Sequence, residues 1–162
     1  MSATTTIQVV GVKDTINALK NIDPQLQKDF RTSATAIAQP AINAAKDVYT
    51  QVPLSGMAYK WASKGRQLFP FSVTKAKSGV KLRIDTRRNA VGVILIEQKD
   101  PATAIFETAG RANANRLGDQ LGFVGAGRTR LIGPAVYKAR RGIEAEMEKM
   151  ILETARTVSR SM

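Results

Sequence analysis

A stripe of apolar residues that keeps helical phase across a proline is the strongest constraint on how this chain folds. Leu26, Phe30, Ala34, Ile37, Ala41, Ala44 or Ala45, and Val48 recur at steps of three or four, the spacing that lines side chains along one face of an α-helix. Pro40 lies inside the run. A proline in a helix interior removes one backbone hydrogen bond and crowds the preceding turn. The stripe nonetheless stays in phase on both sides, which predicts one long helix kinked at Pro40 rather than two separate ones. Asp23 and Pro24 open it, the aspartate as N-cap and the proline at the first helical position, where its missing N–H is not needed. Val52-Pro53 closes it.

Around this helix the other elements follow from shorter patterns. Thr5 to Val12 is β-branched and short, an edge strand that Gly11 ends. Asp14 then caps a short helix with Ile16, Leu19 and Ile22 on one side. Residues 53–71 show no period, yet contain Tyr59, Trp61, Leu68 and Phe69, which are costly to leave in water, so they form an ordered loop. Phe71 and Val73 alternate with polar neighbours as a strand does, and Ser78-Gly79 marks a turn. Val80, Leu82 and Ile84 alternate with Lys81, Arg83 and Asp85, a half-buried strand with a charged outer face. Arg87-Arg88-Asn89 forms the tip of a hairpin, and Val91 to Glu97 returns as a more buried strand. Pro101 begins a short helix to Ala109, and Pro134 opens a long C-terminal helix with Val136, Ile143, Met147, Met150 or Ile151, and Val158 on one face. Arg140 to Glu144 and Lys149 to Glu153 fall at i,i+4 on its other face. The expected fold class is α+β: a small, mostly antiparallel sheet packed by a long kinked N-terminal helix and a long C-terminal helix.

Between the short helix and the last one, residues 110–130 carry five glycines, two asparagines and four arginines with few apolar residues. A loop this long inside a compact domain is uncommon, and is usually functional or ordered only on binding. It is the expected interaction loop of a chain whose 162 residues amount to one domain, 1–162.

The charge follows the same map. The net charge is +12, and it is concentrated in two blocks. Residues 60–99 hold ten bases against Asp85 and Glu97, and residues 111–141 hold seven bases against Asp119. Blocks of like charge call for a solvated face or an acidic partner, either phosphate or protein. Histidine and cysteine are both absent, which removes thiol nucleophiles, Cys/His zinc sites and imidazole general bases. No stretch approaches the roughly 18–20 apolar residues of a membrane span. The first residues lack the basic and hydrophobic regions of a secretory leader, so the expectation is a soluble, cytosol-made, non-enzymatic protein.

Individual motifs add little chemistry. GAGRTR at 125–130 lacks the third glycine and the lysine of a nucleotide loop. Ser55 has no histidine to activate it and reads as a turn residue. Glu144, Glu146, Glu148 and Glu153 fit a solvated helix face better than a metal site, since only Glu144 and Glu148 share a face. Trp61 beside Lys60, Lys64 and Arg66 has the elements of a base-stacking platform, but a single tryptophan without interleaved aromatics points to core or subunit-interface burial. No cofactor and no metal are implied.

The order of the segments carries a resemblance. NIDPQLQKDFRTSATAIAQPAINAAKDVY at 21–49, PLSGM at 53–57 with Trp61 downstream, DPATAIFETAGR at 100–111, a glycine-rich loop, and GPAVYKARRGIEAEMEKMI at 133–151 follow one another. In this order they resemble the tail-completion, or head–tail joining, proteins of long-tailed bacteriophages, and most of all versions from phages of actinobacteria. The resemblance covers about Asp14 to Ser159. It implies an α+β virion structural protein without catalytic residues, made in the bacterial host cytoplasm and located in the virion neck. It further implies a hexameric ring at the head-proximal end of the tail. A tail-tube protein or tail terminator would lie on one face of this ring and a head connector or stopper protein on the other, with genomic DNA passing through the lumen and no membrane involved. A heterologous ring uses different surfaces on its two sides. Arg111, Arg116, Arg128 and Arg130 in the loop, and Arg87 and Arg88 at the hairpin tip, are the candidates for contact with a partner or the lumen. Trp61, Phe69 and Phe106 are candidates for the core or a subunit interface.

Two alternatives carry different signatures. A minor head or head-closure connector protein would share most of these features. A basic nucleic-acid-binding domain would bind DNA strongly, with affinity falling steeply as salt rises. Trp61→Ala is expected to destabilise either the fold or the ring by about 3–5 kcal/mol, measured by urea unfolding of the free protein and by the mass of the assembly.

Overall fold

In a computed structural model, residues 3–51, 62–63, 66–67, 72–85, 94–109, 122, 124 and 128–161 are described. The fold is α+β. Three strands, β1 (Ala3–Ile7), β4 (Val80–Ile84) and β5 (Ile94–Gln98), form an antiparallel sheet in the order β1-β5-β4. Among the described residues five helices accompany it: α1 (Val12–Ile22), α2 (Pro24–Gln51), α3 (Val73–Gly79), α4 (Pro101–Thr108) and α5 (Ile132–Ser161). A further two-residue pair, β2 (Ala62–Ser63) with β3 (Arg66–Gln67), lies within the segment expected to be an ordered loop.

The α2 helix is the centre of the packing. Its 28 residues run unbroken through Pro40, as the phase of the apolar stripe requires. Pro40 and Ala36 both face solvent, so water can reach the Ala36 carbonyl that the missing N–H leaves without its helical donor. Asp23 caps the helix through its side chain, accepting from the amides of Gln25 at 2.8 Å and Leu26 at 3.2 Å. The buried face is wider than the stripe alone. Ala38, Ile42 and Tyr49 are buried together with Phe30, Ala34, Ala41 and Ala45. The widening follows from what surrounds the helix, since α2 packs against α1, α3, β4 and α5 together. The run of alanines lets these neighbours approach closely.

The strand β5 carries the inner layer of the sheet. Ile94, Ile96 and Gln98 are fully buried, while Leu95 and Glu97 lie on the other side. Its register sets Ala3, Thr5 and Ile7 of β1 and Val80, Leu82 and Ile84 of β4 on the inner face. On the outer face Arg83 pairs with Glu97 at 3.2 Å, and Lys99 lies 3.7 Å from the same carboxylate. The charged outer face read from the alternation of β4 is thus present. The α5 helix buries Ile132, Val136, Ile143 and Met147, with Met150, Ile151 and Val158 partly buried beyond them, and Arg140 pairs with Glu144 on its outer side.

Three local expectations differ from what is observed. The strand expected through Phe71 and Val73 is instead the helix α3, with Ser72 at the N-cap position but no side-chain capping bond; Phe71 lies outside the described residues. Its small residues Ala76 and Gly79 are buried and allow a helical turn to fit where a strand of bulky residues would not. The first strand spans Ala3–Ile7 and ends before Gly11, with Ile7 paired to Ile94. Gly11, at φ 90°, is the N-cap of α1, and Asp14 lies in the first turn rather than at the cap. With α1 starting at Val12, its buried side is Val12, Ile16 and Leu19, and Ile22 at the helix end is left exposed. The hairpin tip at Arg87-Arg88-Asn89 lies outside the described residues.

Gly79 occupies the tightest junction. A Cβ there would lie 2.0 Å from Oε1 of Gln98 and 2.9 Å from the backbone nitrogen of Asp100. Gly79→Ala is therefore expected to destabilise the fold by about 1–3 kcal/mol, read as a lower urea midpoint with an unchanged slope.

Candidate functional site

Among the described residues, the buried polar side chains Gln98, Tyr49 and Glu107 meet at one carboxylate. Asp100 caps α4, its Oδ2 accepting from the amide of Thr103 at 3.0 Å and from the Thr103 hydroxyl at 2.6 Å, with Pro101 at the first helical position. Two turns later the helix delivers Glu107 into the core with no solvent exposure. Its Oε1 accepts from the Tyr49 hydroxyl of α2 at 2.9 Å. Its Oε2 accepts from the amide of Leu131 at 2.8 Å, and both oxygens are 3.4 Å from the amide of Ile132. The carboxylate thereby caps the start of α5, where unpaired amides and the helix dipole favour negative charge.

The network continues on the other side of Tyr49. Gln98 of β5 donates through Nε2 to the Tyr49 oxygen at 3.1 Å and to the carbonyl of Ala76 in α3 at 2.9 Å. Its Oε1 accepts from the amide of Asp100 at 2.8 Å. One chain of hydrogen bonds therefore ties α3, β5, α2, α4 and α5 together. Among the described residues, no buried side-chain nitrogen or oxygen lacks a partner. Burial pushes the Glu107 carboxyl above its ordinary range, opposed by the amide of Leu131, the Tyr49 hydroxyl and the amide of Ile132. Burial, and next the Glu107 charge, pushes the Tyr49 hydroxyl up strongly. Both groups lie sealed in the interior, and their geometry is that of a cross-link between elements.

Beside this network the structure fixes the base of the arginine-rich loop. Arg130, half-buried, donates to the carbonyls of Phe106 at 3.3 Å, Ala109 at 2.8 Å and Gly122 at 3.0 Å. Its guanidinium carbon lies 5.4 Å from the centre of the Phe106 ring. Arg130 is thus turned inward as a brace. Phe106 is buried in the core, one of the two places expected for it. Arg128 is exposed and lines a cleft of about 650 Å³ together with Thr4, Thr5, Thr6, Gly133, Pro134 and Tyr137. In the same cleft the Thr5 and Thr129 hydroxyls bond at 3.1 Å, and Thr129 also accepts from the amide of Gly133 at 2.6 Å. Of the other candidates, Arg87, Arg88, Arg111, Arg116, Trp61 and Phe69 lie outside the described residues.

The residues that sequence reasoning missed are Tyr49, Gln98 and Glu107. A signal for Glu107 was present, a single acid inside the otherwise apolar run PATAIFETA. Tyr49 follows Ala41 and Ala45 at steps of four.

No protein-family model, no curated protein and no solved structure matches this chain. Among the described residues, no helix is long and apolar enough to cross a membrane.

Glu107→Ala would leave the Tyr49 hydroxyl and the Leu131 and Ile132 amides unpaired, and is expected to cost about 3–5 kcal/mol. Glu107→Gln should cost less. Because the folded carboxyl titrates above its ordinary value of 4.5, its contribution is complete below that value. It is lost as pH rises through the folded pKa. The unfolding free energy of the wild type should therefore fall relative to that of Glu107→Gln over this window, as measured by urea melts at a series of pH values.

Proposed function

We propose that this chain is a structural protein of the phage neck. It forms a ring at the head-proximal end of the tail, completes or terminates the tail tube, and joins it to the head connector. DNA passes through the lumen, and the protein catalyses no reaction. The observation that carries this reading is the ordered set of motifs from NIDPQLQKDF to GPAVYKARRG over nearly the whole chain. The architecture is in keeping with it, since two helices of 28 and 30 residues pack with a small antiparallel sheet. The brace at Arg130 adds a physical reason for the loop. It anchors the base of the basic segment between α4 and α5, and the reading assigns the other arginines of that segment to contact with an acidic protein surface.

The arginines now divide into two groups. Replacing Arg111, Arg116 and Arg128 together by alanine should leave the protein folded and abolish joining of tails to heads in a complementation assay. Arg130→Ala should lower the thermal midpoint, because three carbonyls lose their donor. Full joining by the triple variant would show that the loop is dispensable. The ring itself is tested by the mass of the protein alone and mixed with tail tubes. A ring, or a monomer that becomes a ring on tube ends, is the expected result. A monomer that ignores tubes but binds DNA with a steep salt dependence would replace this reading with a nucleic-acid-binding one.

A further inference from the structure

The three-stranded sheet has two matched edges. Both β1 and β4 pair with the same five residues of β5, so Ala3 and Val80 stand level at Gln98 and Ile7 and Ile84 stand level at Ile94. Both are antiparallel to β5, so they run parallel to each other at opposite edges. Among the described residues, no backbone hydrogen bond leads outward from either edge. An unpaired edge is a template for another strand, and proteins normally blunt it with charge, proline, a bulge or a cover. The β1 sequence Ala-Thr-Thr-Thr-Ile has no charge and no proline. It borders the open cleft of about 650 Å³ at whose lip Tyr137 is 70% exposed.

We infer that the β1 edge of one copy pairs with the β4 edge of the next, continuing the sheet from subunit to subunit. The occupant is a second copy of this chain because the two edges are equal in length, level in register and alike in direction. Adding copies in the same sense is the head-to-tail contact that closes into a ring. The outer-face side chains favour this pairing over the other two. Thr4 and Thr6 would lie beside Lys81 and Arg83 of the neighbour, a neutral strand against a basic one. A β4-to-β4 contact would set Lys81 and Arg83 against their own copies, which is unfavourable. A two-fold β1-to-β1 contact would leave both β4 edges open. This inference rests on the proposal that the chain self-associates, and it names the surface.

The chain has no cysteine, so introduced thiols report cleanly. In the full-length double variant Thr4→Cys/Lys81→Cys, mild oxidation should give a ladder of covalent multimers, while each single variant stays monomeric on a non-reducing gel. Thr4→Lys/Thr6→Lys keeps the fold, because the ammonium introduced at position 4 would stand beside Glu97 in the same sheet. It should weaken assembly about tenfold by placing like charges across the contact. Dimers from Thr4→Cys alone, without a ladder in the double variant, would overturn the inference in favour of a two-fold contact. A ring of normal mass that neither cross-links nor responds to the lysines would overturn it and leave the ring standing. A protein that stays monomeric by mass with and without tail tubes would overturn both.

Discussion

The Glu107 carboxylate is the interaction on which the rest of the structure depends. It ends one helix, caps the next and holds a tyrosine of the central helix, so three elements distant in sequence share one pair of oxygens. A hydrophobic core is tolerant of sliding, because apolar contact has little direction. Hydrogen bonds to a buried acid are directional, and each one lost leaves a group unpaired in a medium that cannot solvate it. The register of α2 against α5, the largest helix contact among the described residues, is set by this geometry as well as by packing.

The same arrangement explains why charge is used where an apolar side chain could have filled the space. Two amides at the start of α5 need acceptors, and Pro134 in the first turn has no N–H to satisfy. A carboxylate supplies acceptors to both amides and to Tyr49 at once. Burial opposes its ionisation, and the three donors offset part of that cost. Next to it, Arg130 satisfies carbonyls at the end of α4 and at Gly122. The long segment between α4 and α5 therefore starts and finishes at a fixed place, whatever its own contacts.

Around this fixed centre the described residues present two kinds of surface. The outer face of the sheet is charged and internally paired through Arg83, Glu97 and Lys99. The β1 edge and its cleft are rich in threonine and carry an exposed tyrosine, a composition suited to meeting another protein. In the neck ring we propose, these are the surfaces for contact with the next subunit. The basic blocks would face whatever acidic surface the ring docks against.

Much of the architecture was legible in the order of residues. The period of α2, its start at Asp23-Pro24, its passage through Pro40, the alternation of β4 and the burial of β5 all follow from local pattern, because each depends only on which side of an element meets water. The strand and turn read at residues 71–79 are wrong, since Val73–Gly79 is a helix: the segment is short and polar, and its outcome depends on the space left beside α2 and β5. The cap of α1 turned on a left-handed glycine at position 11 rather than on the nearby aspartate. Arg130 and Arg128 look alike in sequence, yet one is a brace and the other lines a cleft. The sequence by itself determined α1, α2, α4 and α5, the alternating strand β4, the basic blocks and the absence of thiol and imidazole chemistry. Only the tertiary structure decided that Glu107, Gln98 and Tyr49 meet, because hydrogen bonds between residues about fifty positions apart depend on how the chain returns on itself, which no local period records.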